Sequence, residues 1–66
     1  MARYYVNDKP QANGDHEVHR DTCSYLPSDR TYLGDFSRCQ EAVAAAKLRY
    51  RSADGCYWCS PDCHRK

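Results

Sequence analysis

Apolar and polar positions alternate over the N-terminal third of the chain and give way to a helical period in its second half. Tyr4, Tyr5 and Val6 make Arg3 to Val6 β-prone, and the segment Asp8 to Asp15 that follows is turn chemistry centred on Asn13-Gly14. In His16-Glu17-Val18-His19 the alternation predicts a second strand, with Glu17 and His19 on the face opposite Val18. Leu26 to Arg30 carries a proline and turn formers, after which Thr31-Tyr32-Leu33 predicts a third strand ending at Gly34.

The helical period runs from about Arg38 to Tyr50. Ser37 stands where an N-cap belongs, and Gln40 three residues later completes a capping box. The interior is rich in alanine, and Lys47 and Arg49 lie toward the C-terminal end, as the helix dipole favours. Cys39, Ala42, Val43, Ala46 and Tyr50 fall on one narrow stripe of mostly small residues, suited to close packing on a sheet. Asp54-Gly55 ends this element, and the cysteine-rich remainder is too short for a conventional one. The pattern predicts an α+β fold, a small antiparallel sheet of two to three short strands packed on one helix.

Length makes that fold hard to hold by packing alone. A 66-residue domain buries only about 60% of the surface its unfolded chain exposes. Here the aliphatic and Phe inventory is Val6, Val18, Leu26, Leu33, Phe36, Val43 and Leu48, with no isoleucine. A staple is required, and five cysteines with three histidines point to disulfides or a structural metal. The N-terminus has no apolar stretch of the signal-peptide kind and nothing approaches the length of a membrane span, so a cytoplasmic, reducing setting is expected. In that setting clustered cysteines are metal ligands more often than disulfides.

Cys56-Tyr57-Trp58-Cys59 is the sharpest motif, because two thiolates with two residues between them can hold one tetrahedral metal from a tight turn. Its partner half-site is His19-Arg20-Asp21-Thr22-Cys23, whose three-residue spacer lets an imidazole and a thiolate converge if the chain turns after the strand. His19, Cys23, Cys56 and Cys59 are therefore the expected zinc ligands. Cys63 is the alternative fourth ligand in place of His19, which would make the site all-thiolate.

These residues resemble the Ada-type metal-binding domain. The resemblance rests on His19-x3-Cys23, Tyr32, Phe36, the capped helix with Glu41-Ala42, and Gly55-Cys56-x2-Cys59-x-Pro61. It covers residues 16 to 61, leaving 1 to 15 as an N-terminal strand and loop and 62 to 66 as a tail of one single domain. It implies a small bacterial zinc module with a sheet on a helix and the metal where strand ends meet the C-terminal knuckle. In the family's DNA methylphosphotriester repair protein, the first ligand is a cysteine whose zinc-bound thiolate accepts the methyl group. His19 occupies that position here, so the acceptor chemistry is not implied and a non-catalytic structural zinc is the expectation.

The remaining residues divide between structure and binding. His16 is expected at the surface, across the strand from His19, and Cys39 is expected as a small buried apolar residue rather than a reactive thiol. The first half of the chain leans acidic and the second half basic, a mild asymmetry compatible with a nucleic-acid or a protein partner. A nucleic-acid role would fall to Lys47, Arg49 and Arg51 with Tyr57 and Trp58 as stacking surfaces; the competing expectation is that both rings pack over the metal and shield it. The alternative function is thiol–disulfide exchange by the Cys56/Cys59 pair. Cys59-x3-Cys63-His64 is a stretched form of a c-type haem attachment motif, without a credible distal ligand. Metalloprotease-type spacing of glutamate and histidine is missing, so hydrolysis is not expected.

Overall fold

The computed structural model describes residues 1–65. Four strands and one helix follow in the order β1 (Ala2–Asn7), β2 (His16–Arg20), β3 (Arg30–Phe36), α1 (Cys39–Lys47) and β4 (Ala53–Gly55), with a 3₁₀ turn at Pro61–Cys63. The sheet order is β3-β1-β2-β4. β1 lies antiparallel to both of its neighbours, opposing Tyr5 to His19 and Val6 to Val18, whereas β4 runs parallel to β2 with Val18 opposite Gly55.

The α+β class is as expected, but the sheet is mixed rather than antiparallel and has a fourth strand. Ala53-Asp54-Gly55 carries no β-propensity of its own. It becomes a strand because α1 returns the chain across the sheet, and a helical crossover of this kind delivers a parallel neighbour to the open edge of β2.

Strand alternation sorts the side chains. Tyr4, Val6 and Val18 face α1 and close the core with Ala42, Ala46 and Ala53, with Leu33, Phe36, Val43 and Tyr50 packed around them. The predicted stripe of α1 is the face that packs. Between β1 and β3 the register slips after Tyr4, which leaves Leu33 as the extra residue of a bulge. Gly34 beside it takes φ +136°, and a β-carbon there would stand 3.2 Å from the Phe36 ring, so this bulge needs glycine.

The helix is shorter than its period and is capped one residue later. Arg38, not Ser37, is the N-cap, and the Glu41 carboxylate, not Gln40, accepts from the Arg38 N–H at 3.2 Å and from Ser37 Oγ at 3.1 Å. α1 stops at Lys47 because the next N–H groups turn back onto Ala45 and Ala46, swinging Tyr50 toward the far end of the sheet. There Tyr50 stacks on His16 at 3.7 Å between ring centroids and donates to Asp8 at 2.8 Å. Thr31 donates to the same carboxylate at 2.8 Å, and Arg49 lies 3.8 Å from it. These hydrogen bonds hold the Asp8 pKa below its ordinary value.

Residues 63 to 65 are fastened to the rest of the fold. Cys63 is buried and disulfide-bonded to Cys39, with sulfurs 2.06 Å apart, tying the first turn of α1 to the 3₁₀ turn. Asp54, itself buried, accepts the Arg65 N–H at 3.0 Å, and His64 Nδ1 lies 3.1 Å from the Gly55 carbonyl oxygen. Two expectations are corrected by the disulfide. Cys39 does lie on the buried stripe but is half of a cystine, and Cys63 is no longer available as a ligand. Their pairing is a product of the tertiary fold, since 24 residues separate them in sequence. Among the described residues no helix is long and apolar enough to cross a membrane.

Candidate metal centre

His19, Cys23, Cys56 and Cys59 converge at the C-terminal ends of the parallel pair β2 and β4. Their candidate ligand atoms all lie within 4.8 Å of one another. Each is delivered by a different local device. His19 is the fourth residue of β2, on the face turned away from α1, and is 1% exposed. Cys23 is returned toward it by a turn closed by its own N–H on the Arg20 carbonyl at 3.0 Å. Cys56 follows β4 and extends the parallel ladder by donating to the Val18 carbonyl at 3.0 Å. Cys59 closes the knuckle, with the Ser60 N–H on the Cys56 carbonyl at 2.9 Å.

Gly55 makes this knuckle sterically feasible. A β-carbon at position 55 would lie 2.6 Å from Cys63 Cβ and 2.8 Å from the Ser60 carbonyl oxygen. The chain that carries Cys59 onward into the 3₁₀ turn therefore packs directly on the backbone of β4.

The surroundings suit thiolates. Arg20 donates its backbone N–H to Cys59 Sγ at 3.3 Å, Tyr25 donates to Cys23 Sγ at 3.4 Å, and the backbone of Trp58 and Cys59 donates to Cys56 Sγ. Burial nevertheless pushes the Cys56 and Cys59 thiols up and the His19 imidazole down, so without a metal all three side chains favour their neutral forms. N–H donors aimed at sulfurs that lack a counter-charge mark a site completed by a cation. Geometry agrees. Sulfurs about 2.3 Å from a tetrahedral metal lie about 3.8 Å apart, and Cys23 Sγ and Cys56 Sγ are separated by 3.9 Å. His19 Nδ1 is buried with no hydrogen-bond partner, which a lone pair directed at a metal explains. The residues present fit a tetrahedral metal ion held by one imidazole and three thiolates.

The expected nucleic-acid residues are not gathered into one patch. Arg49 lies against Asp8 and the Tyr50 ring, at the end of the sheet where β2 begins, and Arg51 follows it in an exposed turn. Lys47 borders a shallow hollow on α1 with Asp54 and Arg65. Tyr57 and Trp58 sit in the knuckle at the opposite end and are 57% and 65% exposed. They touch each other edge-on, and Trp58 stacks on Tyr25 at 5.7 Å.

Sequence reasoning gave no role at the site to Glu17 or Tyr25 and named Gly55 only as ending the helix and as part of the family motif. Only Glu17 had a readable signal, since a Glu-x-His pair on a strand places both side chains on one face. Comparison with known proteins yields no matching family model, no matching curated protein and no matching solved structure.

Proposed function

We propose that the chain is a non-catalytic zinc module in which His19, Cys23, Cys56 and Cys59 hold one structural zinc. The observation that carries this is the buried, unpartnered Nδ1 of His19 among three thiols that backbone N–H groups already face. A ligand set of one imidazole and three thiolates favours zinc among the common divalent metals. The order and spacing of the ligands support kinship with the Ada-type domain. His19 in the place of the methyl-accepting cysteine supports a structural rather than a reactive centre. Thiol–disulfide exchange by Cys56 and Cys59 has less support, because burial raises both pKa values whereas an attacking thiol needs a lowered one.

Native mass spectrometry tests this reading. One zinc per chain is expected, with a denatured mass two protons below that of the fully reduced chain, reflecting Cys39–Cys63, and three alkylatable thiols once the metal is chelated. A chain that takes up no zinc from excess, or that binds it equally well as His19→Ala/Cys56→Ala, would overturn the assignment.

The module's partner surface is the ring cluster Tyr25, Tyr57 and Trp58 beside the metal. Stacking of single-stranded nucleic acid there would quench the fluorescence of Trp58, the sole tryptophan. Quenching that weakens steeply between about 50 and 200 mM salt is the expected result for such a partner. Its absence, or indifference to salt, would leave a protein surface as the target.

A further inference from the structure

The metal reading leaves one group beside the site unused. Glu17 and His19 are two residues apart on β2 and so share a face. Glu17 Oε1 stands 3.4 Å from His19 Nε2, while Nδ1 of the same ring has no partner. The two nitrogens of an imidazole point in diverging directions, so a ring held with Nε2 toward a carboxylate presents Nδ1 to whatever lies on its other side. One nitrogen of this ring lies within 4.8 Å of the three cysteine sulfurs, and Nδ1 is the one left without a partner.

We infer that Glu17 is a positioning residue of the metal centre, whose carboxylate keeps the His19 proton on Nε2 and thereby commits Nδ1 as the ligand. This rests on the zinc reading above. Three further observations support it. The Glu17 side chain is only 17% exposed, so its contact with the ring is sheltered from water. The Gln11 side chain hydrogen-bonds the same carboxylate from the β1–β2 loop and steadies it. Glu17 also lies opposite Asp54 in the parallel ladder, with Asp15 and His64 nearby. Carboxylates crowded on that edge gain from a hydrogen-bond donor, and the Nε2–H of a metal-bound imidazole supplies one.

The chemistry is general. A carboxylate behind a ligating histidine fixes its tautomer, makes the ring a better donor and holds it at the angle the metal needs. Removing such a partner costs roughly 10–100-fold in metal affinity.

The test combines two readouts on the oxidised, full-length chain. Long-range 1H–15N NMR of the zinc-loaded wild-type protein should show His19 bound through Nδ1 with its proton on Nε2. Competition titration against a zinc chelator should give affinities in the order wild type, then Glu17→Gln, then Glu17→Ala. The alanine variant is expected to be about 10–100-fold weaker, and the glutamine variant partly rescued because its amide oxygen still accepts from Nε2–H. Ligation of the wild-type ring through Nε2, or wild-type affinity in Glu17→Ala, would overturn the role of Glu17 and leave the zinc site standing. A wild-type chain that binds no zinc would overturn both. The wild-type NMR result decides the tautomer even if a variant fails to fold.

Discussion

A methyl group at position 55 is the smallest change with a large expected effect. Gly55 has no left-handed backbone to excuse it; what it supplies is absence of volume where β4 meets the 3₁₀ turn. Two of the three atoms a β-carbon would meet are backbone, so the neighbours have little freedom to retreat. Gly55→Ala should destabilise the zinc-loaded fold by about 1–3 kcal/mol, seen as a lowered thermal midpoint, and should weaken zinc binding as well because Cys56 is the next residue. Single residues were also where sequence reading was most uneven. The four clustered residues could be picked out because candidate-ligand spacing is local, one pair sharing a strand end and the other a knuckle. Gly55 and the Cys39–Cys63 partnership could not, because each depends on what the fold brings from elsewhere in the chain.

Among the elements, α1 is the one held at both ends by covalent or charged contacts. Its first residue is crosslinked to the 3₁₀ turn, and the turn that follows it is clasped through Tyr50 and Arg49 to Asp8. Closing a loop across 24 residues of sequence stabilises a fold by about 3 kcal/mol, so Cys39→Ser/Cys63→Ser should lower the unfolding midpoint accordingly while its remaining three thiols still bind zinc. The Asp8 clasp has a different signature. Its carboxyl is easier to ionise in the fold than in the unfolded chain, so its contribution is complete above the ordinary carboxylate pKa and fades as pH falls through the lowered one. Asp8→Asn should be less thermally stable than wild type at pH 7, and the gap between them should close as pH falls below the ordinary carboxylate range. At this scale the sequence foretold three strands and the helix within a few residues of their ends. It missed β4, whose pairing comes from its position after the crossover rather than from its composition, and it placed the helix cap one residue early because Ser37 and Glu41 share that task with Arg38 between them.

Across the whole molecule, a thin core is crosslinked by one disulfide, and beside it stands a His/Cys cluster that could hold a metal. The class of fold and the need for a staple followed from length and from an inventory without isoleucine. That two of the cysteines pair in a disulfide while three join His19 in a cluster did not, since a count of five cysteines divides equally well in other ways. Zinc retention should also depend on acidity. Burial raises the Cys56 and Cys59 thiols, so protons compete with a metal for these sulfurs already near neutral pH, whereas His19, harder to protonate than a free imidazole, adds its proton only below the ordinary histidine range. Zinc release followed by a chromogenic chelator should therefore rise as pH falls from about 7 and more steeply below about 6.

Cystine and thiolate stand side by side in this chain, and they fail in opposite directions. With the proposed zinc bound, a phosphine reductant would open Cys39–Cys63 and leave the metal in place, whereas an oxidant would attack the thiolates and leave the cystine intact. Neither insult alone would release both ends of the molecule's fastening. With zinc bound, the paired clamps would widen the range of redox surroundings in which so small a core stays folded.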